Sequence, residues 1–223
     1  ADVRKSKMDP LQHFLLHGIA EARMPNAYFD VDFYRTTHHD DLFAQDDPIN
    51  HYLQHARMPN HHPCAFFEND WYAQQYLADQ PLEIPLRHFL THGERSKLCP
   101  HPFFSEQRYL RLNPEVARDV REGKMVSGFR HFVTQGAAEL DAGHYRHFSF
   151  DWGQYQLDYD PVAYVVDNPD VHGAIAQGYV QSGIGHLFTR GWREAQHGLR
   201  AIYGARHQVR LLKVIEGTVP ERR

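Results

Sequence analysis

Cysteine is scarce in this 223-residue chain. There are two, Cys64 and Cys99, about one internal repeat apart. Packed helical layers lie roughly 8–10 Å apart, whereas a disulfide needs Cα atoms within about 7 Å. Two free thiols in a reducing, cytoplasmic setting are therefore expected. Long apolar runs are also missing: no stretch approaches the roughly 18 residues of a membrane span. The first residues, Ala1 to Lys7, carry no apolar core of a signal peptide. Positive charge is not in excess, with a net charge of −4 and a pI near 6.5. That excludes a broad electrostatic footprint for nucleic acid or an anionic membrane. No glycine-rich phosphate loop follows a strand-like segment, and no strand–helix alternation suggests a nucleotide-binding sheet.

What the chain does have is histidine, 18 of them, and aromatic residues at 13%. Both fall into a pattern. A nine-residue unit occurs five times: Asp9 to His17, Asp47 to His55, Ile84 to His92, Ser127 to Gln135 and Ser182 to Arg190. Its fifth position is always histidine: His13, His51, His88, His131 and His186. Apolar residues at positions three, six and seven make one helical stripe. Asp9 and Asp47 precede Pro10 and Pro48, an N-cap followed by proline at the first helical position. Ser127 and Ser182 can cap in the same way, and Ile84 cannot. Gly18, Gly93, Gly136 and Gly191 are expected to end the helices in the left-handed region. A helix this short is unstable alone, so it must bury its stripe against neighbours.

A second motif is an aromatic, then a capping residue, with tyrosine five positions after the aromatic. It occurs as Phe29-Asp30…Tyr34, Phe67-Glu68…Tyr72, Phe104-Ser105…Tyr109 and Tyr159-Asp160…Tyr164. Each should start a short helix, with the tyrosine hydroxyl at the edge of the core. Asn113-Pro114 and Asn168-Pro169 start a further helix, since proline forces its predecessor out of helical geometry. In repeats one and two the spacing is shorter, so that helix is expected to be shortened or lost. The expected fold is all-α, a solenoid-like array of about four and a half short-helix repeats over residues 1–200. The half repeat is 9–26; the repeats are about 27–60, 61–100, 101–143 and 159–198; 144–158 is an insertion. Residues 201–223 leave the pattern, as a tail or a link to a further domain, with Val209 to Ile215 a strand or a last helix. The chain begins inside a repeat, as an excerpt of a longer protein would.

The pattern resembles tandem repeats of the form aromatic-Asp-x-x-x-Tyr…Asn-Pro-Asp-Val…Pro-Leu-x-His-aromatic-Leu-x-x-Gly-x-x-Glu-x-Arg-x-Pro. Such repeats occur beside glycosyltransferase domains in bacterial surface-polysaccharide proteins. The resemblance runs roughly from residue 9 to 198, best over Tyr159 to Glu194 and Pro10 to Pro25. It implies a role in glycan assembly, with a protein, an adjoining catalytic domain or a glycan as partner. It brings no catalytic residue and no cofactor.

The sharpest chemical candidates are the histidine pairs one helical turn apart: His13/His17, His51/His55 and His88/His92. Such a pair can ligate one metal, but no acid repeats at a fixed offset beside it. Gln135 and Arg190 replace the second histidine later on. The expected role of the repeated histidine is structural, bonded to a carbonyl or carboxylate of the next repeat. Tyr34, Tyr72, Tyr109 and Tyr164 are expected to serve the same core. His38-His39 and His61-His62 read as solvated turns with a possible adventitious metal. Asp30-Val31-Asp32 and Asp158-Tyr159-Asp160 match the Asp-x-Asp of many glycosyltransferases, but both sit at helix starts, where acids suit the dipole. The readings left open are a non-catalytic binding module, a metal-dependent enzyme built on the pairs, and a structural spacer.

Overall fold

The computed structural model describes residues 26–43, 46–144, 147–152 and 155–200. The half repeat up to residue 25, with His13 and His17, and the tail 201–223 lie outside the described residues. Within them the protein is mainly helical, with one small two-stranded sheet. No helix among the described residues is long and apolar enough to cross a membrane.

Local chemistry sets the helix starts. Asp30, Asp47, Ser105, Ser127, Asp160 and Ser182 each accept a backbone N–H through the side chain. Pro48, Pro114, Pro161 and Pro169 sit at first-turn positions. Ile84 and Glu68 make no side-chain cap. Repeats three and four contain the extra helices, Pro114–Arg121 and Pro169–Ala176. Each ends near a glycine at positive φ, Gly123 and Gly178. Among the described residues, repeats one and two have no such helix. The insertion folds as an antiparallel hairpin, Ser149–Trp152 with Tyr155–Asp158, pairing Ser149 with Asp158.

Two expectations about the repeated helix need correction. Gly93, Gly136 and Gly191 do not end it in the left-handed region. Gly136 has φ −61° and Gly191 has φ −56°, both right-handed, and each helix continues past its glycine. All three close a π-helical segment: Phe89–Gly93, Phe132–Gly136 and Leu187–Gly191. A π segment is one residue wider than an α turn, and its widest bond here runs from Glu94 N–H to the Phe89 carbonyl, 2.8 Å. The glycine is needed because the tyrosine of the same repeat aims its hydroxyl at the missing Cβ. An added methyl would collide with the hydroxyls of Tyr72, Tyr109 and Tyr164 respectively. Repeat one carries Ala56 at this register and keeps an ordinary α turn, Ala56 N–H to the Tyr52 carbonyl.

The stripe is also narrower than expected. Position six is buried in every described copy, but at position seven Leu53 is 49% exposed and Leu90 38%. Position seven lies about 100° further round the helix, so it is covered only where a neighbour stands on that side. Phe188 has that neighbour. It packs on Phe66, Phe132 and Phe148, with ring centroids 5.3–5.5 Å apart. Repeats two, three and four and the segment before the hairpin thus share one aromatic centre.

Contacts also run beyond sequential neighbours. The starts of repeats one and two are tied to the next linker: Asp30 N–H to the Pro63 carbonyl, and Glu68 N–H to the Pro100 carbonyl, both 2.9 Å. Buried Glu94 accepts from Tyr28 Oη, Ser127 Oγ and a bidentate Arg130, linking repeats one, two and three. Burial opposes its charge, but Arg130, Tyr28 and Ser127 outweigh it and hold the carboxyl below its usual range. Asp141 joins repeats three and four by accepting from Tyr159 Oη and Ile184 N–H. Gln181 of repeat four donates to Asp30 of repeat one, 3.2 Å. Both cysteines are free; burial pushes the Cys64 thiol up to about 12.

Candidate functional site

The repeated tyrosine and histidine meet. Tyr34 pairs with His51, Tyr72 with His88, Tyr109 with His131 and Tyr164 with His186, all from hydroxyl to Nδ1 at 2.8–2.9 Å. The histidine's partner is therefore the tyrosine of its own repeat, not a carbonyl or carboxylate of the next. The tyrosines are buried, and each hydroxyl is bonded to its histidine. A buried polar ring needs a partner, and a buried hydroxyl does too; each satisfies the other. With the glycine they form a Tyr–His–Gly lock. Gly136→Ala should cost about 1–3 kcal/mol through overpacking. In a Tyr109→Phe background the same change should cost less, because the clashing hydroxyl is gone, although Tyr109 Cζ and His131 Nδ1 stay close. Denaturant titration of the four proteins checks this; strictly additive losses would rule the lock out.

The lock occupies one nitrogen of His51 and of His88. His55 Nδ1 bonds the His51 carbonyl at 2.7 Å, and His92 Nδ1 bonds Thr91 Oγ1 at 2.8 Å. The paired rings stack on one another. Among the described residues, the three-residue group with ligand atoms within 4.8 Å of one another is instead His62, Glu68 and Asp70. Its donor set does not suit a metal as it stands. His62 Nδ1 accepts the Asn69 N–H at 3.2 Å, so a neutral ring carries its proton on Nε2, the nitrogen a cation would need. That Nε2 lies 3.4 Å from Glu68 Oε1, and Arg193 Nη2 lies 2.7 Å from the same oxygen. The Arg193 contact is an ion pair without good hydrogen-bond alignment. Burial and Arg193 push His62 down to about 3, and burial holds Glu68 up at about 7.

Neither histidine doublet is a plain solvated turn. His38 is buried and stacks on His61 at 4.5 Å, with His51 and His55 close by. Burial and these neighbouring rings bring His38 down to about 4. Asp30 and Asp160 are caps, as their positions suggest.

A concave feature of the surface lies between repeats one and four. A cleft of about 300 Å³ is lined by Thr36, Asn60, His62, Tyr179, Arg190 and Arg193, among others. An adjoining hollow of about 580 Å³ shares Thr36, Tyr179, Val180 and Arg190 with it. The hollow also holds Asp170 and Glu194, both paired with Arg200. Sequence reasoning missed this place. The one signal was that Arg190 stands where earlier copies carry the second histidine. Compared with known protein families, curated proteins and solved structures, the chain matches none of them.

Proposed function

We propose that this chain is a solenoid-like helical repeat module without catalytic activity of its own. It serves as a scaffold or binding surface beside a glycosyltransferase domain in bacterial surface-polysaccharide assembly. One observation supports the non-catalytic reading most. The residues that recur with chemical potential, histidine and tyrosine, are spent on one another in four Tyr–His pairs, three of them closed by a glycine. Each pair takes up the tyrosine hydroxyl and Nδ1 of the histidine inside its own repeat, a structural use that recurs with the repeat. The surface offered to a partner is the cleft joining repeats one and four. Repeats that enclose a cleft suit a binding role better than that of a bare spacer.

The test combines metal analysis of the purified protein with a glycan array and a pull-down. Retention of a defined glycan or protein without stoichiometric metal is the expected result. Stoichiometric zinc or iron lost on His51→Ala and His88→Ala would favour the metal-dependent enzyme instead. Retention of nothing specific would leave the spacer.

A further inference from the structure

The cleft between repeats one and four has a charge of its own. Its charged liners are Arg190 and Arg193, with no aspartate or glutamate among the residues that line it. His62 is neutral there, because burial holds its pKa at about 3. Arg193 is spent: it pairs with Glu68, donates to the Thr189 carbonyl at 2.9 Å and lies over the Trp192 ring. Arg190 is not. Among the described residues its guanidinium has no ion pair and no hydrogen bond, and it stands on the ridge between the cleft and the adjoining hollow. The hollow's acids are engaged by Arg200, at 2.7 Å for Asp170. The Arg190 guanidinium therefore faces the cleft without a direct partner among the described residues, while in the adjoining hollow Asp170 and Glu194 are balanced by Arg190 and Arg200 together.

A guanidinium offers a planar fork that matches carboxylate or phosphate oxygens. A concave, low-dielectric wall strengthens that attraction. Around Arg190 the cleft supplies hydrogen-bonding side chains, Thr36, Thr37, Asn60 and Gln181, and an aromatic platform, Tyr179, which is 72% exposed. Asn60 holds φ +64°, an uncommon conformation for a residue other than glycine, and it sits on the cleft wall. The cleft's volume is at the small end of ligand pockets, which span roughly 300–1,000 Å³.

We propose that this cleft binds a small hydroxylated organic anion, its carboxylate or phosphate held by Arg190 and its body laid on Tyr179. The proposal deepens the binding-module reading and rests on it. It names the chemistry of the bound group, which that reading leaves open.

The experiment is binding by NMR shift perturbation and calorimetry, with four probes: glucuronate, glucose 6-phosphate, glucose and inorganic phosphate. Wild type should bind glucuronate or glucose 6-phosphate, with shifts at Thr36, Tyr179 and Gln181, and should bind glucose far more weakly. Which of the two anions wins identifies the anionic group. Arg190→Gln should weaken binding about tenfold or more, the worth of a charge-assisted hydrogen bond. Its melting temperature should not change, since the Arg190 guanidinium makes no ion pair or hydrogen bond among the described residues. Tyr179→Ala should weaken binding of both sugar anions while leaving inorganic phosphate unaffected. Binding of glucose equal to that of glucuronate would overturn the proposal, as would binding unchanged in Arg190→Gln or no binding of either anion at millimolar concentration. A partner still captured by a chain that binds none of the probes would sink this proposal alone. Stoichiometric metal with turnover would sink the module reading beneath it.

Discussion

Phe132→Ala is expected to destabilise the protein by about 3–5 kcal/mol, the cost of truncating a buried aromatic. Phe132 is 0% exposed. Its ring meets Phe66 of repeat two, Phe104 and Tyr109 of repeat three, Phe148 ahead of the hairpin and Phe188 of repeat four, at 5.1–5.6 Å. Ring pairs at such distances add to the area term. An open array passes damage only to adjacent repeats. Here one truncation should loosen amides near Phe66 and Phe188 together, because both lean on the same ring. Denaturant unfolding gives the magnitude, and hydrogen exchange gives the distribution. Exchange that rises only between about residues 104 and 148 would deny the shared aromatic centre.

Acid should be nearly as costly. Burial holds His62 and His101 at about 3, and His38 and His186 at about 4, all below the ordinary 6.5. His101 is the most enclosed: Nδ1 accepts from Phe103 N–H while Nε2 bonds the Phe188 carbonyl at 2.9 Å. Above pH 6.5 these rings are neutral in both states and contribute nothing. As pH falls below 6.5 the unfolded chain takes up protons that the folded chain refuses, so stability drops until the folded pKa values are reached. At pH 5.5 each ring costs about 1.4 kcal/mol. Glu68 acts the other way. Its folded pKa near 7 exceeds the ordinary 4.5, so acid restores stability there, about 2 kcal/mol over the same range. Asp141, raised by burial, works in the same sense, while His51 and His131, lowered by burial, add to the loss. The net loss between pH 7.5 and 5.5 should be about 3–4 kcal/mol, a large share of a typical 5–15 kcal/mol. Denaturant midpoints across that range measure it. A flat profile would mean that the buried rings are charged or solvated.

The sequence by itself determined the local features: where helices start, which repeats hold an extra helix, and which positions recur. Caps and prolines act within one turn, so Asp47-Pro48 and Asn168-Pro169 could be read without knowing what packs on them. The recurrence of Tyr109 and His131, and of Tyr164 and His186, at a constant spacing of 22 was equally visible. That these residues touch was not, because a period says nothing about which faces meet. The glycines carried a misleading signal, since the same residue serves a left-handed turn and a close approach. Only the position of the tyrosine hydroxyl distinguishes the two. The residues from Phe150 to Tyr155 also have the aromatic–cap–tyrosine spacing, yet Phe150 and Tyr155 belong to paired strands, and the helix starts after Tyr159-Asp160. The cleft was out of reach for a further reason. Thr36 and Arg190 are brought together by how the repeats pack around Phe66, Phe132 and Phe188, and that depends on side-chain shape across the whole core, which no local rule encodes.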